Sequence, residues 1–158
     1  MKNVLMVGML FSATLAQPVA AAGIAYPEGY RDWRHVKSME LQPGHALYES
    51  FGGLHHIYAN PKAVKGYRSG KFADGAVIVF DLLEAKTGGN ALVEGKRKVL
   101  GVMVRDRKKY ANTGGWGFEG FAGGDPLKRV VGDNAAKACF ACHAPQQNNN
   151  YLFSAIRD

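Results

Sequence analysis

Glycine is the residue type that most constrains how this chain can fold. The chain has 20 glycines in 158 residues, and 19 of them are spread between Gly23 and Gly132. A glycine inside a helix costs about 1 kcal/mol relative to alanine, so long continuous helices are disfavoured. The segments between the glycines are short and rich in β-branched and aromatic residues, which favour strands. We therefore predict a mainly β (α+β) fold, a curved antiparallel sheet with a few short helices.

Four segments carry the strand pattern. "FGGLHHIYAN" alternates apolar and polar positions, which predicts a half-buried strand. "GAVIVFDLLEA" predicts a buried strand, and "RKVLGVMVRD", after a turn at residues 88–90, predicts its antiparallel partner. "GGWGFEGFAGGD" predicts a further strand or a bulged loop. These segments begin at Phe51, Gly75, Arg97 and Gly114.

Three other segments predict helix. Residues 32–37 place Trp33, Val36 and Lys37 at helical spacing after an early aspartate. The segment from Pro61 has a proline start and later glycines, which suits about two helical turns followed by a loop. The alanine-rich stretch at 135–138 predicts that the nearby cysteines lie on a helix or at its end. The run "QQNNN", residues 146–150, predicts a polar loop.

The first 22 residues are typical of a secretory signal. One lysine precedes an apolar run and an alanine-rich stretch with small residues suited to cleavage between Ala20 and Gly23. We expect a signal peptide at 1–22, a single domain at 23–158 and a periplasmic location. No later run is long and apolar enough to predict a membrane span.

The chain is basic, with a formal net charge of +7. Its lysines and arginines are scattered, and no basic stripe with stacking aromatic residues accompanies them, which argues against nucleic-acid binding. Docking to an acidic redox partner is a more plausible use of this charge.

The chemistry-bearing motif is "CFACH", which contains Cys139, Cys142 and His143. Cys-x-x-Cys-His is the attachment signature of c-type haem, in which the histidine becomes an axial iron ligand. A disulfide across two intervening residues would close too short a loop to stabilise the fold much. A thioredoxin-like pair would follow an early strand, and a zinc site would need two further ligands. We predict one covalently attached haem held by these three residues.

The sequence does not assign a second axial ligand. No methionine follows His143. Met1, Met6 and Met9 lie in the predicted signal peptide, so Met39 and Met103 are the methionines left in the mature chain. Met103 lies in an apolar strand pattern that predicts core packing. Four further histidines are conceivable ligands, but adjacent strand residues face opposite sides, so at most one of His55 and His56 can face the haem. An open iron face is the better interpretation. The other two histidines are His35 and His45.

The mature chain resembles the cytochrome P-460 superfamily and, within it, the β-sheet cytochromes c′ (cytochrome c′-beta). The resemblance rests on five segments in order along the chain. It implies a large antiparallel sheet around one c-type haem, usually in a homodimer. The segments are "YPEGYRDW", "FADGAVIVFDLL", "GGWGFEGF", "CFACH" and "YLFS".

Two departures from the enzymatic relatives shape the functional expectation. Members that oxidise hydroxylamine have a haem-crosslinked lysine where this chain has Phe80, and a distal carboxylate at the position aligned with Gly101. Losing a positioned base typically costs about 10²- to 10⁴-fold in rate, so that reaction is not expected here. The β-type cytochromes c′ have two distal phenylalanines instead, which the resemblance carries over to Phe51 and Phe80.

The resemblance therefore implies a five-coordinate, gas-binding haem. A phenylalanine ring offers no lone pair to iron and no proton to a ligand, which favours nitric oxide and carbon monoxide over dioxygen. The alternatives are a hydroxylamine-oxidising or nitrogen-oxide-reducing enzyme and a six-coordinate electron-transfer cytochrome. Propionate contacts by Arg129 or Lys137 also stay open.

Overall fold

The computed structural model describes residues 23–157 and confirms the mainly β class. Five antiparallel strands form one sheet, and each strand pairs with the next along the chain. The strands are β1 (Arg34–Leu41), β2 (Gly53–Ala59), β3 (Val77–Gly88), β4 (Ala91–Arg105) and β5 (Trp116–Ala122). All four predicted strand segments are thus present. The signal peptide predicted for residues 1–22 lies outside the described residues.

The helices are short. They are α1 (Tyr48–Phe51), α2 (Pro61–Ser69), a π-helical turn (Ala136–Phe140) and α3 (Ala141–His143), with 3₁₀ turns at Tyr30–Asp32, Ala111–Thr113, Gly132–Asn134 and Ala144–Asn149. Helix α2 begins at Pro61 and is terminated by Gly70 in the left-handed region, as the proline start and the later glycine predicted. The side chain of Asn60 caps it by accepting a hydrogen bond from the Ala63 amide at 2.8 Å, a contact that was not predicted. Within residues 23–157, no helix has the length and apolar character needed to cross a bilayer.

The helix predicted at residues 32–37 is wrong, because these residues lead into strand β1. A 3₁₀ turn ends at Asp32, and β1 then pairs with β2. A bulge between His35 and Lys37 shifts the register, and Val36 is buried in the core. Val36 is the extra residue, and it breaks the period-two alternation expected of a strand. The apolar residues of this segment therefore fall at a spacing that resembles a helix. The polar loop predicted at 146–150 is also mostly a 3₁₀ turn.

The sheet separates two apolar cores. We call the front face the side that carries the cross-strand row Ala59, Ile78, Met103 and Phe118, which packs against α2 and the C-terminal segment. Met103 therefore packs in a core, as predicted. The back face is the opposite side, and it packs against the N-terminal segment. Its buried core residues are Ile24, Tyr30, Val79, Leu100, Val102 and Phe121.

The outer edge of β5 is covered by the segment that leads to the cysteines. Phe121 forms an isolated bridge with Arg129, and the Val130 amide donates to the Gly120 carbonyl at 2.9 Å. The free hydrogen-bonding groups of an edge strand are thereby paired. This contact brings the chain from the sheet edge to the helical turn at Ala136–Phe140, beside the front face.

Candidate cofactor site

The two cysteines lie on consecutive helical turns, as predicted. Cys139 is in the π-helical turn and Cys142 is in α3, and both thiols are free. Residues three apart lie on the same side of a helix, so both thiols can reach one neighbouring group. Cys139 packs against the front core, and burial, reinforced by the Glu119 carboxylate, raises its pKa to about 11. Such a thiol is unlike the low-pKa nucleophile of a dithiol redox enzyme.

His143 is held in the tautomer that a metal ligand requires. Its Nδ1–H donates to the Tyr151 carbonyl oxygen at 2.7 Å, so Nε2 carries the free lone pair. Burial lowers the pKa of His143, although the Tyr151 hydrogen bond opposes that effect. The ring is therefore neutral near pH 7, and neutral imidazole is the form that binds iron.

A tight turn aims the Tyr151 carbonyl at His143. Asn150 and Tyr151 both adopt left-handed backbone conformations, with φ of 54° and 65°. The Tyr151 amide donates to the Gln146 carbonyl at 2.8 Å, which closes the turn. The Tyr151 ring lies over Gly114, where a Cβ atom would meet the ring at 2.4 Å. Gly114 therefore needs to be glycine for the carbonyl to keep this position.

Two aromatic rings flank the His143 imidazole. Phe118 of β5 and Phe153 each place a ring centroid 5.0 Å from that of His143. Phe118 is buried in the front core, whereas Phe153 is 57% exposed. The imidazole thus stands against the front face of the sheet and beside an exposed aromatic ring.

Glu119 anchors the chain near the cysteines, a role that the sequence reasoning missed. Its Oε1 accepts hydrogen bonds from the amides of Gly120 and Val131, and its Oε2 accepts one from Arg129 at 3.1 Å. Burial alone would raise the pKa of Glu119, but these donors hold it below its usual range. The carboxylate fastens the chain that leads to Cys139 onto β5. A single acidic residue within an aromatic, glycine-rich strand was the available signal.

Phe51 and Phe80, the two phenylalanines predicted to cap the iron, are in contact. Phe51 ends α1 and Phe80 lies in β3 on the front face, with ring centroids 6.0 Å apart in an edge-to-face arrangement. Phe80 belongs to the residue row next to that of Phe118, two strands away. With standard sheet spacings, Phe80 is displaced from Phe118 by about 10 Å in the direction across the strands and by about 7 Å in the direction along them.

Phe80 and Gly101, the two positions at which the resemblance implies a departure from the enzymatic members, are direct neighbours. Phe80 pairs across the strands with Gly101, which in turn pairs with Gly120. A Cβ on Gly101 would lie 3.3 Å from Cδ1 of Phe80, and one on Gly120 would lie 2.8 Å from the Val130 side chain. The absence of a side chain at Gly101 therefore accommodates the Phe80 ring, and its absence at Gly120 accommodates the Val130 side chain.

Three of the other candidate residues, His56, Arg129 and His55, have side chains that are engaged by other groups. His56 faces the back of the sheet, where its Nδ1 is 2.6 Å from the Ser38 hydroxyl, and Arg129 is paired with Glu119. His55 faces the front, but its Nε2 lies 2.5 Å from the Phe51 carbonyl oxygen and its Nδ1 is buried. Among the described residues, no group of three or more His, Cys, Asp or Glu side chains is arranged to hold a metal ion.

Comparison with known proteins gives one informative match. The family model described as Cytochrome P460 matches residues 27–154 of the chain. The matched range contains all five strands, the paired phenylalanines and the Cys-x-x-Cys-His motif. No curated protein matches the chain.

Proposed function

The chain belongs to the cytochrome P460 family, and from this premise we propose that it is a periplasmic mono-haem cytochrome that binds nitric oxide. The family implies a haem cofactor. In the proposal, Cys139 and Cys142 hold one haem covalently and His143 is its axial ligand. Phe51 and Phe80 cap the opposite side of the iron.

The state of His143 is the observation that carries the proposal. Its Nδ1 is engaged by the Tyr151 carbonyl, its Nε2 is free, and burial favours its neutral form. Both thiols are free and lie on one side of a helical turn beside it. A neutral imidazole directed by a backbone carbonyl, next to two thiols at this spacing, fits the donor set of a c-type haem.

The cap residues determine which molecules the site accepts. When bound, ferrous haem supplies an iron that takes up diatomic gases. Phe51 and Phe80 bring hydrocarbon edges to that position, so they donate no hydrogen bond to a bound ligand and provide no partner for water. Nitric oxide and carbon monoxide do not need a hydrogen bond, whereas dioxygen binding depends on one. The residues therefore favour capture or transport of nitric oxide.

The same residues disfavour hydroxylamine oxidation. That reaction must remove protons from the substrate, and a positioned base typically contributes about 10²- to 10⁴-fold in rate. Neither Phe80 nor its cross-strand neighbour Gly101 can act as a base. The net charge of +7 is consistent with an acidic redox partner, and a homodimer is part of the proposal through the family resemblance.

Optical spectroscopy of the purified holoprotein tests the proposal. We expect a high-spin, five-coordinate spectrum in both the ferric and the ferrous state, and conversion of the ferrous form on addition of nitric oxide or carbon monoxide. A low-spin spectrum with a protein-derived sixth ligand would instead support the electron-transfer alternative. Turnover of hydroxylamine with an artificial electron acceptor would support the enzymatic one.

A further inference from the structure

We infer that His55 is the positioning residue of the aromatic cap: it ties the segment that carries Phe51 to the sheet and supports the ring of Phe80 at the same time. The effect of His55 on ligand entry rests on the proposed gas-binding function. Its contact with the Phe51 segment can be tested by hydrogen exchange without adding a gas. His55 itself does not touch the ligand in this assignment.

His55 contacts both members of the cap. Its Nε2 lies 2.5 Å from the Phe51 carbonyl oxygen, and because a carbonyl only accepts, Nε2 carries the proton and donates. Its ring meets the Phe80 ring edge-to-face, with centroids 4.7 Å apart. One side chain on β2 therefore sets both the backbone position of Phe51 and one wall around Phe80.

The geometry also shows why His55 positions the cap and does not act as an iron ligand. The residue is 2% exposed, Nε2 is engaged, and Nδ1 is buried without a hydrogen-bond partner. Burial lowers the pKa of His55, so the ring stays neutral near pH 7. Leaving Nδ1 unpaired in the interior carries a cost, commonly about 1–3 kcal/mol for a buried polar group. A phenylalanine or leucine would avoid that cost but could not donate to Phe51.

The Phe51 segment needs such support from outside. Helix α1 has four residues, none of them buried, and Phe51 is 37% exposed. A single helical turn is not stable by itself, because nucleation is unfavourable. The structure adds a second tether: the Lys98 ammonium group donates to the Gly52 carbonyl oxygen at 2.7 Å. Two consecutive carbonyls are thus held by side chains of β2 and β4.

The test compares adjacent histidines that face opposite sides of the sheet. His55→Phe keeps an aromatic ring against Phe80 but removes the donor to Phe51. His55→Gln restores an N–H at the position of Nε2. His56→Phe is the matched control, because His56 contacts Ser38 and Glu94 on the back face. The readouts are hydrogen exchange of residues 48–52 in the holoprotein and the rate of carbon monoxide association with the ferrous form.

We expect His55→Phe to accelerate both exchange in residues 48–52 and carbon monoxide association by about tenfold, the typical effect of losing one net hydrogen bond. His55→Gln should recover most of the exchange protection, and His56→Phe should change either readout less than about twofold. Unchanged exchange in His55→Phe, or an equal increase in His56→Phe, would overturn the inference.

The two proposals fail in different ways. If the wild-type ferrous protein takes up neither carbon monoxide nor nitric oxide, the proposed function fails, while the exchange comparison still decides whether His55 holds the Phe51 segment. If exchange changes as expected but carbon monoxide association does not, His55 holds the segment without controlling access, and the inference about the cap is wrong.

Discussion

Phe80 and Asp81 are neighbours on β3, and they show how differently the two faces of the sheet are built. Phe80 faces the front, is half-buried, and contacts the rings of Phe51 and His55. Asp81 faces the back, is fully buried, and is surrounded by charged partners. One residue step along a strand thus separates an aromatic contact on the front face from a buried carboxylate with ionic partners on the back face.

The back-face cluster is fully satisfied. Asp81 accepts hydrogen bonds from the Tyr30 hydroxyl at 2.5 Å, from Arg97 Nε at 2.6 Å and from Arg31 at 3.2 Å. These partners come from the N-terminal segment and from β4, so the carboxylate joins three parts of the chain. The front face instead has glycine opposite Phe80 at position 101. The difference indicates that this part of β3 is fixed by ionic contacts on the back face, whereas on the front face it makes ring contacts with Phe51 and His55.

The largest expected effect comes from removing the back-face carboxylate. Asp81→Ala leaves two guanidinium groups and the Tyr30 hydroxyl without their shared partner. Breaking a buried pair costs about 3–5 kcal/mol, and we expect the lower end of that range because the Arg31 side chain is 53% exposed and can be hydrated. Urea unfolding of the holoprotein should show this loss in the free energy of unfolding. Asp74→Ala is the matched control, because Asp74 also pairs with an arginine, Arg107, but at the exposed surface. A similar loss in both variants would contradict the contrast between the faces.

The second prediction compares substitutions on the two faces of β3 by their effects on stability and on gas binding. Val79→Ala, on the fully buried back face, should cost about 2 kcal/mol of stability and leave gas binding unchanged. Phe80→Ala should speed carbon monoxide association with the ferrous protein by about tenfold, equivalent to about 1.4 kcal/mol off the entry barrier. Its stability loss should fall below the roughly 3–5 kcal/mol of a fully buried phenylalanine. Stopped-flow kinetics and urea titration of both variants check the pattern, and unchanged kinetics in Phe80→Ala would count against the cap.

The sequence predicted the parts of this fold that depend on local pattern. Apolar alternation and β-branched runs between glycines identified β2 to β5, and the alanine-rich stretch at 135–138 identified the helical turns with Cys139 and Cys142. The prediction failed at β1, because the bulge at Val36 disguised a strand as a helix. A bulge is decided by pairing with a neighbouring strand, which a single segment does not reveal.

The candidate site was only partly accessible to sequence reasoning. Phe51 and Phe80 were chosen through a family resemblance, and their contact depends on the return of α1 over the sheet. The roles of Glu119, His55 and the Tyr151 carbonyl arise from contacts between distant segments. In each case a backbone group is the partner, and backbone groups leave no signature in the sequence.

A smaller effect is expected from acid. Burial alone would raise the pKa of Asp81, but hydrogen bonds from Arg97 and Tyr30 hold it below the usual range. A lowered folded-state pKa contributes stability that is fully present above the unfolded pKa of about 4 and is lost as the pH falls through the folded value. Stability of the wild type should therefore drop below about pH 4, and Asp81→Asn should show a flatter acid limb. The loss is smaller than in Asp81→Ala, because a protonated aspartate keeps some hydrogen bonds. Identical acid limbs in urea titrations would contradict this assignment.

The smallest effect is expected from adding a methyl group at Gly101, the front-face position beside Phe80 that has no side chain. In Gly101→Ala the new Cβ would lie 3.3 Å from Cδ1 and 3.5 Å from Cβ of Phe80, so the ring must move by a few tenths of an ångström. Carbon monoxide association should change by less than about threefold, since an overpacked contact that the neighbour can relax costs little. Gly88→Ala, at the exposed end of β3 where a new Cβ meets nothing within 4 Å, is the control for inserting alanine into the sheet. A tenfold change in Gly101→Ala, with no change in the control, would contradict this expectation and show that a small displacement of the Phe80 ring is enough to alter ligand entry.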